Sequence, residues 1–186
     1  LRSTPIGAPL LSGHADVDGM RHTSLTTYPS GKFGSPSLGD TVSIDFQESN
    51  PNFIARVGST RYAGSGGGGY STNNGATWTA FPNPPGIAGR IAVSAGSETM
   101  VWVPQNGSPL YSTDRGQTWT PGTGAPSGTV HDFWVWYQPL TSDRVNTNTF
   151  YLLERNTWKL FRSIDGGVSW TVASTMPQAP VKTPAY

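Results

Sequence analysis

The segment from Gly13 to His22 holds the densest group of side chains that could take part in chemistry. It reads Gly-His-Ala-Asp-Val-Asp-Gly-Met-Arg-His, so the carboxylates of Asp16 and Asp18 lie two residues apart, between two histidines. The Asp-x-Asp-Gly pattern resembles the start of a calcium loop, but the later acidic ligands of such a loop are missing. The spacing alone leaves three interpretations open: a structural turn, which it favours, a catalytic carboxylate and a cation site.

A second group of candidate residues lies between His131 and Tyr137, where Trp134 and Trp136 alternate with smaller or apolar residues. On an exposed loop, these rings would offer platforms for the apolar faces of sugar rings. The same alternation fits a half-buried strand with both tryptophans on its core face. Both interpretations stay open.

Other conspicuous residues receive structural interpretations. Asp45 alternates with apolar neighbours and is expected to be a hydrogen-bonded strand or turn residue. Asp143 and Arg144 are expected to form a local pair or turn, while Trp102 and Trp158 are assigned to the core.

A repeated pattern, Ser-x-Asp/Asn-x-Gly-x-x-Trp, indicates which elements position these candidates. It occurs three times, at 71–78, 112–119 and 163–170, and successive tryptophans are 41 and 51 residues apart. This period fits one four-stranded propeller blade per repeat. The pattern is the Asp-box repeat.

Each position of the box has a mechanical reason. The Asp or Asn oxygen can accept backbone N–H groups inside a tight turn. The glycine, present as Gly75, Gly116 and Gly167, supplies the positive φ that the turn requires. The tryptophan then folds back over the hairpin and buries a large apolar face, so we expect the boxes to stabilise turns rather than bind a ligand.

The rest of the chain predicts an all-β fold, because no stretch shows helical periodicity. Short apolar runs bounded by turn residues predict strands at 53–57, 91–94, 100–103 and 149–153. Glycine and proline predict a flexible turn at 64–69 and an inter-blade loop at 82–89, and the extra residues of the last repeat predict a longer loop near 130–140.

Three boxes imply three to four blades of a β-propeller. A propeller closes on itself to remove its sheet edges, and most propellers need more blades than this. We therefore expect residues 1–186 to form part of a larger, seven-bladed propeller, with an unusually small closed ring as the alternative.

Composition excludes several classes of partner. Charged residues make up 12% of the chain and its net charge is +1, which gives no footprint for nucleic acid or an anionic membrane surface. No apolar run is long enough to span a bilayer, and the absence of cysteine excludes thiolate metal sites. Low charge with abundant Ser, Thr, Gly and Trp suits a secreted, carbohydrate-active protein.

Several strings together carry a resemblance to one enzyme family. The segment Ala-Asp16-Val-Asp-Gly-Met-Arg-His22 resembles the Gly-Asp-Val-x-Gly-Phe-x-His motif of glycoside hydrolase family 74. Further strings resemble that family in order, so that the similarity runs from about Asp16 to Trp170; they lie at 43–51, 56–58, 91–95, 101–104, 111–116 and 142–146.

The resemblance implies an activity and a set of site residues. Members of the family have two seven-bladed propellers facing across a cleft and hydrolyse the β-1,4-glucan backbone of xyloglucan with inversion, using one Asp from each propeller. The motif assigns the Asp of the second propeller to Asp16, for which we favour the role of general acid over that of general base. Arg21, His22, Trp134 and Trp136 become substrate-binding candidates, and no metal ion or cofactor is expected.

Two departures from the family pattern matter. Ala15 stands where the family has Gly, and Met20 where it has Phe, so the local turn is expected to differ slightly. The partner Asp of the first propeller has no counterpart in this chain. The expected partners are therefore xyloglucan and the remainder of the same enzyme, and the 186 residues alone are expected to be inactive.

Two other functions remain as alternatives. A non-catalytic Asp-box propeller, such as a sortilin-like receptor or an assembly factor, shares the fold, although a sortilin-like ectodomain would bring a cysteine-rich module. A sialidase would need an arginine cluster for a sugar carboxylate; Arg56, Arg61, Arg90 and Arg144 are present, but outside any recognisable sialidase motif.

Overall fold

The fold was analysed on a computed structural model, which describes residues 1–59, 66–126, 139–154 and 157–177. Within these ranges the chain forms fourteen strands and no helix. The strands make three antiparallel sheets of four strands each and one sheet of two. The predicted all-β fold of four-stranded blades is confirmed.

The chain begins with a two-stranded hairpin that carries the candidate segment. Strand β1 (Leu10–Gly13) pairs antiparallel with β2 (Gly19–His22), and residues 14–18 connect them. Arg2 extends this small sheet by exchanging two backbone hydrogen bonds with Leu11, of 2.9 and 2.7 Å.

Blade 1 follows as an up-and-down sheet. It consists of β3 (Asp40–Phe46), β4 (Ile54–Ser59), β5 (Gly66–Ser71) and β6 (Thr79–Ala80), hydrogen-bonded in that order. The register of the β3–β4 pair shifts between Thr41 and Ser43.

Blades 2 and 3 repeat this arrangement. Blade 2 contains β7 (Arg90–Val93), β8 (Met100–Val103), β9 (Leu110–Ser112) and β10 (Thr120–Pro121). Blade 3 contains β11 (Leu140–Ser142), β12 (Phe150–Glu154), β13 (Lys159–Ser163) and β14 (Thr171–Thr175). The first strands of the blades, β3, β7 and β11, lie side by side, as the inner strands of a propeller do.

The four predicted strands are found as β4, β7, β8 and β12, within one or two residues of the expected ends. The loop at 82–89 connects blades 1 and 2, as predicted. The predicted longer loop near 130–140 falls mostly outside the described residues.

Strand β8 reads as a continuous apolar run because it buries both of its faces. Along β8, Met100 and Trp102 join the core shared with blade 1, whereas Val101 and Val103 join the core shared with blade 3. Successive side chains of a strand point to opposite faces, so one strand serves two inter-blade cores. Trp102 is fully buried and donates its indole N–H to Ala88 O at 2.8 Å, which confirms its assignment to the core.

The Asp boxes occupy the turns between the third and fourth strands of each blade. In the second box, Ser112 Oγ accepts the Gly116 amide at 2.8 Å and donates to Asp114 Oδ1 at 2.8 Å. Asp114 Oδ1 also accepts the Thr118 amide at 3.0 Å. The first and third boxes contain the same three bonds, and all three box glycines have positive φ. The predicted turn-stabilising role is confirmed.

Each box also packs against the preceding sheet. Trp78 contacts Phe33 beside the hairpin, Trp119 contacts Phe81 of blade 1, and Trp170 joins the core between blades 2 and 3. Trp170 is buried, whereas Trp78 and Trp119 keep part of their surface exposed. The boxes therefore fasten neighbouring sheets together as well as closing their own turns.

Two sequence-based predictions need correction. Trp158 is only half-buried, in the turn between β12 and β13, and is not a core residue. Residues 66–69, expected in a flexible turn, form the start of β5 between β4 and β6. The glycines serve close packing there, since a Cβ on Gly68 would lie 2.6 Å from both the Phe81 ring and the Arg56 carbonyl oxygen.

A buried ion pair fastens the hairpin to blade 1. Arg56 of β4 is fully buried, and its guanidinium donates to Asp18 Oδ1 at the start of the hairpin's second strand. Asp18 also accepts the Thr41 hydroxyl at 2.5 Å and the Leu38 amide at 3.1 Å. Both oxygens of this carboxylate are therefore satisfied by groups on or near blade 1.

The remaining contacts of Arg56 complete this junction. Its other terminal nitrogen donates to Gly34 O at 3.0 Å and to Pro36 O at 2.7 Å, and the guanidinium lies 4.5 Å from the centre of the Trp78 ring. Burial lowers the pKa of Arg56, while the charge and hydrogen bond of Asp18 raise it. Arginine stays protonated in proteins under such opposing effects, so the junction keeps its cation.

Replacing Gly68 by alanine is expected to destabilise the chain by about 1–3 kcal/mol, because the new methyl group overpacks the β4–β5–Phe81 contact. Urea unfolding of the chain measures the change in free energy. The matched control is Gly31→Ala, where a Cβ meets nothing within 4 Å; its effect should stay within about 0.5 kcal/mol. Equal stability of the two variants would contradict the packing role of Gly68.

Replacing Arg56 by methionine is expected to cost about 3–5 kcal/mol, because the buried Asp18 carboxylate loses its cation. The double variant Arg56→Met/Asp18→Asn should recover much of that loss in the same unfolding measurement. Arg115→Met, which breaks the exposed pair with Glu98, serves as the control and should cost at most about 1 kcal/mol. A double variant as unstable as Arg56→Met would show that the ion pair is not the cause.

Candidate active site

Asp16 lies at the tip of the loop that joins β1 to β2, and its side chain is exposed. The His14 amide donates to Asp18 O at 2.8 Å, which closes the loop. Within it, the Val17 amide donates to Ala15 O at 2.8 Å, forming a three-residue γ-turn centred on Asp16. Asp16 has a φ of 66°, a conformation that costs energy for a residue other than glycine and is frequent at functional sites.

The departure from the family pattern at Ala15 is compatible with this turn. The positive φ angles of the loop belong to Asp16 (66°) and Asp18 (69°), and Ala15 is not among the residues with positive φ in the described chain. A glycine is therefore not required at position 15, since the residue there does not need the left-handed conformation.

The loop is tied to the beginning of β3 by three hydrogen bonds. The Asp18 amide donates to Gly39 O at 2.7 Å, and the Thr41 amide donates to His14 O at 3.1 Å. Between them, the Asp16 amide donates to Oδ1 of Asp40. The Asp16 backbone is thus held by the inner strand of blade 1, and its side chain is left at the surface.

The structure places Arg21 and His22 on opposite faces of β2. Arg21 Nε donates to the carbonyl oxygen of Asn74 at 2.8 Å, so this residue contacts the first Asp box. His22 Nε2 lies 2.8 Å from Ser12 Oγ, and His14 Nε2 lies at the same distance from that hydroxyl. His22 is therefore grouped with His14 of the Asp16 loop, while Arg21 faces the box. Trp134 and Trp136 lie outside the described residues.

A second polar cluster lies along the inner strands. Asp45 is buried and accepts the Val93 amide at 2.9 Å, Arg2 Nε at 3.1 Å and Arg144 Nη1 at 3.1 Å. Asp45 thus joins β3 to β7 and to the end of β11, which confirms its structural interpretation.

Of the expected local pair or turn at Asp143 and Arg144, the structure contains the turn but not the pair. Asp143 Oδ1 accepts the amides of Val145 and Asn146, both at 2.9 Å, and these bonds, with that of Asn146 first, lower the pKa of Asp143 to about 2. Arg144 instead pairs with Asp45 and Glu48, which lie in and just after β3 of blade 1.

This arrangement bears on two of the alternatives. Among the described residues, no group of three His, Asp or Glu side chains could hold a metal ion, and Asp18 of the calcium-like pattern is engaged by Arg56. The arginine cluster of a sialidase is not formed by Arg56, which is buried, or by Arg144, which pairs with Asp45 and Glu48.

In the described part of the chain, no helix is long and apolar enough to cross a membrane.

Sequence reasoning missed the residues that hold Asp16 in place, namely Asp40, Thr41 and Arg56. A signal was present for Arg56, since a charged residue interrupts the otherwise apolar run Phe-Ile-Ala-Arg-Val at 53–57. A charge in a strand buried on both faces requires a buried partner. No local pattern indicated that the partner would be Asp18, which is 38 residues away.

Comparison with known proteins supports the family resemblance. A family model described as BNR/Asp-box repeat matches residues 110–121, which include the second box. A xyloglucanase from Paenibacillus is 37% identical over 185 residues, covering 95% of this chain and 17% of the relative. Xyloglucanase Xgh74A from Acetivibrio thermocellus is 34% identical over 183 residues, covering 97% of this chain and 20% of the relative.

Solved structures agree with this relationship. The crystal structure of a xyloglucanase of glycoside hydrolase family 74 from Xanthomonas campestris superposes with a TM-score of 0.81 and 30% identity over 94% of this chain and 24% of that one. The chain spans about a fifth of the length of the curated relatives it matches. Nearly the whole length of the chain therefore aligns with a part of these xyloglucanases, in sequence and in structure, and the chain is similar to that part of a glycoside hydrolase family 74 enzyme.

Proposed function

We propose that this chain contributes Asp16 as one of two catalytic carboxylates to an enzyme that hydrolyses β-1,4-glucosidic bonds in xyloglucan with inversion. One observation carries the proposal: the carboxylate at the motif position of the family is exposed on a loop whose backbone is tied to blade 1 by three hydrogen bonds. A catalytic acid must reach the substrate and yet be held in a defined orientation.

An inverting mechanism needs a second carboxylate, about 6.5–9.5 Å from the first, to activate the attacking water. The two other acidic residues that pack around the Asp16 loop do not suit this role. Asp18 is buried at 1% exposure and paired with Arg56, and Asp40 is buried at 2% exposure. Neither of these two described residues is suited to act as the second carboxylate, which the family resemblance assigns to a facing propeller.

In the favoured assignment Asp16 is the general acid. Its proton passes to the glycosidic oxygen as the bond to the anomeric carbon breaks, and the resulting carboxylate is reprotonated from solvent, to which the loop is open. Water, deprotonated by the second carboxylate, attacks the opposite face of the sugar ring and inverts the configuration. In the alternative assignment, the two carboxylates exchange roles.

The substrate contacts are proposed on the same grounds. His22 lies with His14 on the hairpin that carries Asp16, where imidazole nitrogens can bind sugar hydroxyl groups. Arg21, Trp134 and Trp136 are proposed as further contacts, the tryptophans as platforms for sugar rings. Xyloglucan is a plant cell-wall polymer too large to enter cells, so we propose that the enzyme acts outside the cell.

Asp16→Asn is expected to lower kcat/KM on xyloglucan by about 10²–10⁴-fold, because the amide cannot transfer the proton. The measurement uses the complete enzyme, meaning the two-propeller polypeptide that includes this chain, and follows released reducing ends. Glu98→Gln, which removes one surface carboxylate from blade 2, is the control and should leave the rate unchanged. If the Asp16 variant keeps wild-type activity, or if the wild-type enzyme does not cleave xyloglucan, the proposal is wrong.

The isolated 186-residue chain is expected not to hydrolyse xyloglucan, because the family resemblance assigns the second carboxylate to the facing propeller. Incubation of the purified chain with xyloglucan, followed by a reducing-end assay, tests this against the complete enzyme at equal molar concentration. Turnover by the isolated chain that disappears in Asp16→Asn would show that both carboxylates lie within these residues.

A further inference from the structure

We infer that Asp40 is the positioning residue of the catalytic acid: its buried carboxylate holds the Asp16 backbone in the γ-turn that presents the Asp16 side chain to solvent. This inference rests on the proposed role of Asp16. It assigns to Asp40 a function in catalysis, although Asp40 does not contact the substrate.

The first line of support is the bond itself. The Asp16 amide donates to Asp40 Oδ1, so a side chain of β3 provides the acceptor oxygen for the backbone N–H of Asp16. Asp16 adopts a φ of 66° and its neighbours close a γ-turn around it, an arrangement that persists only where the surroundings enforce it. The side chain of Asp40 accepts the hydrogen bond from the backbone amide of Asp16 itself.

The second line of support is the unfavourable environment that Asp40 occupies. Its side chain is buried at 2% exposure, and its Oδ2 atom has no hydrogen-bond partner among the described residues. A buried carboxylate with an unsatisfied oxygen weakens folding. Burying this carboxylate therefore carries a cost in stability, and the hydrogen bond that its Oδ1 accepts in the described part of the chain comes from the amide of Asp16.

The third line of support is the rigidity of the anchor. Asp40 is the first residue of β3, pairs with Ser59 of β4, and forms a bridge with Asp18 on the other side of the loop. A catalytic group is held accurately when its supporting residue lies on a regular element rather than on another loop. The inner strand β3 of blade 1 thus provides a rigid support for the residue that binds the Asp16 amide.

Asp40 and the Arg56–Asp18 pair act on different parts of the loop. Arg56 holds Asp18, and through it the whole hairpin, against blade 1, so its loss affects stability. Asp40 binds the amide of Asp16, which lies two residues before Asp18 in the loop. Removing the Asp40 carboxylate should therefore change the orientation of the Asp16 side chain more than the stability of the fold. This difference separates a positioning role from a purely structural one.

The test compares Asp40→Ala with Asp40→Asn in the complete enzyme. Asparagine has the same shape and keeps an oxygen that can accept the Asp16 amide, whereas alanine removes the acceptor. We expect Asp40→Ala to lower kcat on xyloglucan oligosaccharides by about 10–100-fold, the order of effect of a misplaced catalytic group, with KM changed less than threefold. We expect Asp40→Asn to stay within about threefold of wild-type kcat.

Amide hydrogen exchange of residues 14–18, measured by NMR in the full 186-residue chain, gives a readout independent of activity. The Asp16 amide should exchange faster in Asp40→Ala than in wild type and should remain protected in Asp40→Asn. If Asp40→Ala does not fold, Asp40→Ser replaces it, because the serine hydroxyl is polar but one bond too short to reach the amide.

The outcomes separate the inference from the proposed function. If Asp16→Asn is inactive but Asp40→Ala keeps wild-type kcat and amide protection, the positioning role is wrong and the catalytic role of Asp16 stands. If Asp40→Asn loses as much kcat as Asp40→Ala, the charge of Asp40 matters rather than its acceptor oxygen, and the inference is also wrong. If the Asp16→Asn variant is active, both the catalytic role of Asp16 and the positioning role of Asp40 are wrong.

Discussion

Strand β8, a middle strand of blade 2, has two apolar faces, and neither face can be left in water. Met100 and Trp102 of β8 need blade 1, and Val101 and Val103 of the same strand need blade 3. Burial of apolar surface is the main favourable contribution to folding, so a single blade is not stable by itself. Every other feature of the structure, including the position of the box tryptophans and of the candidate acid, follows from the stacking of sheets that this constraint imposes.

The hairpin at the beginning of the chain covers one end of this stack. Its apolar residues pack on blade 1, and one buried ion pair, Arg56 with Asp18, sets its position. A buried pair is costly to desolvate, and apolar residues of similar volume often give equal or greater stability. What the pair provides here is a fixed geometry: Asp18 is two residues from Asp16, so the contact that docks the hairpin also places the loop of the catalytic acid.

Whether a structural feature can be predicted from the sequence depends on how far apart in the chain its interacting residues lie. The boxes were predictable because Ser112, Asp114 and Gly116 make their bonds within five residues, and local turn chemistry dictates them. Apolar runs predicted β7 and β8 for a similar reason. The prediction of a turn at the glycines 66–69 was wrong, because glycine in a strand and glycine in a turn cannot be distinguished from the local sequence. The difference lies in the Phe81 ring, which packs against Gly68.

By itself, the sequence determined the class of fold and the repeat that builds the blades, and its resemblance to a family motif singled out Asp16 as the candidate acid. These properties follow from patterns within one strand, one turn or one short segment. Only the tertiary structure decided that Asp18 is a buried partner of Arg56, that Arg144 pairs with Asp45 rather than Asp143, and that Asp40 holds the Asp16 amide. Each of these contacts joins residues 24 to 99 positions apart, and their geometry is set by how the sheets stack.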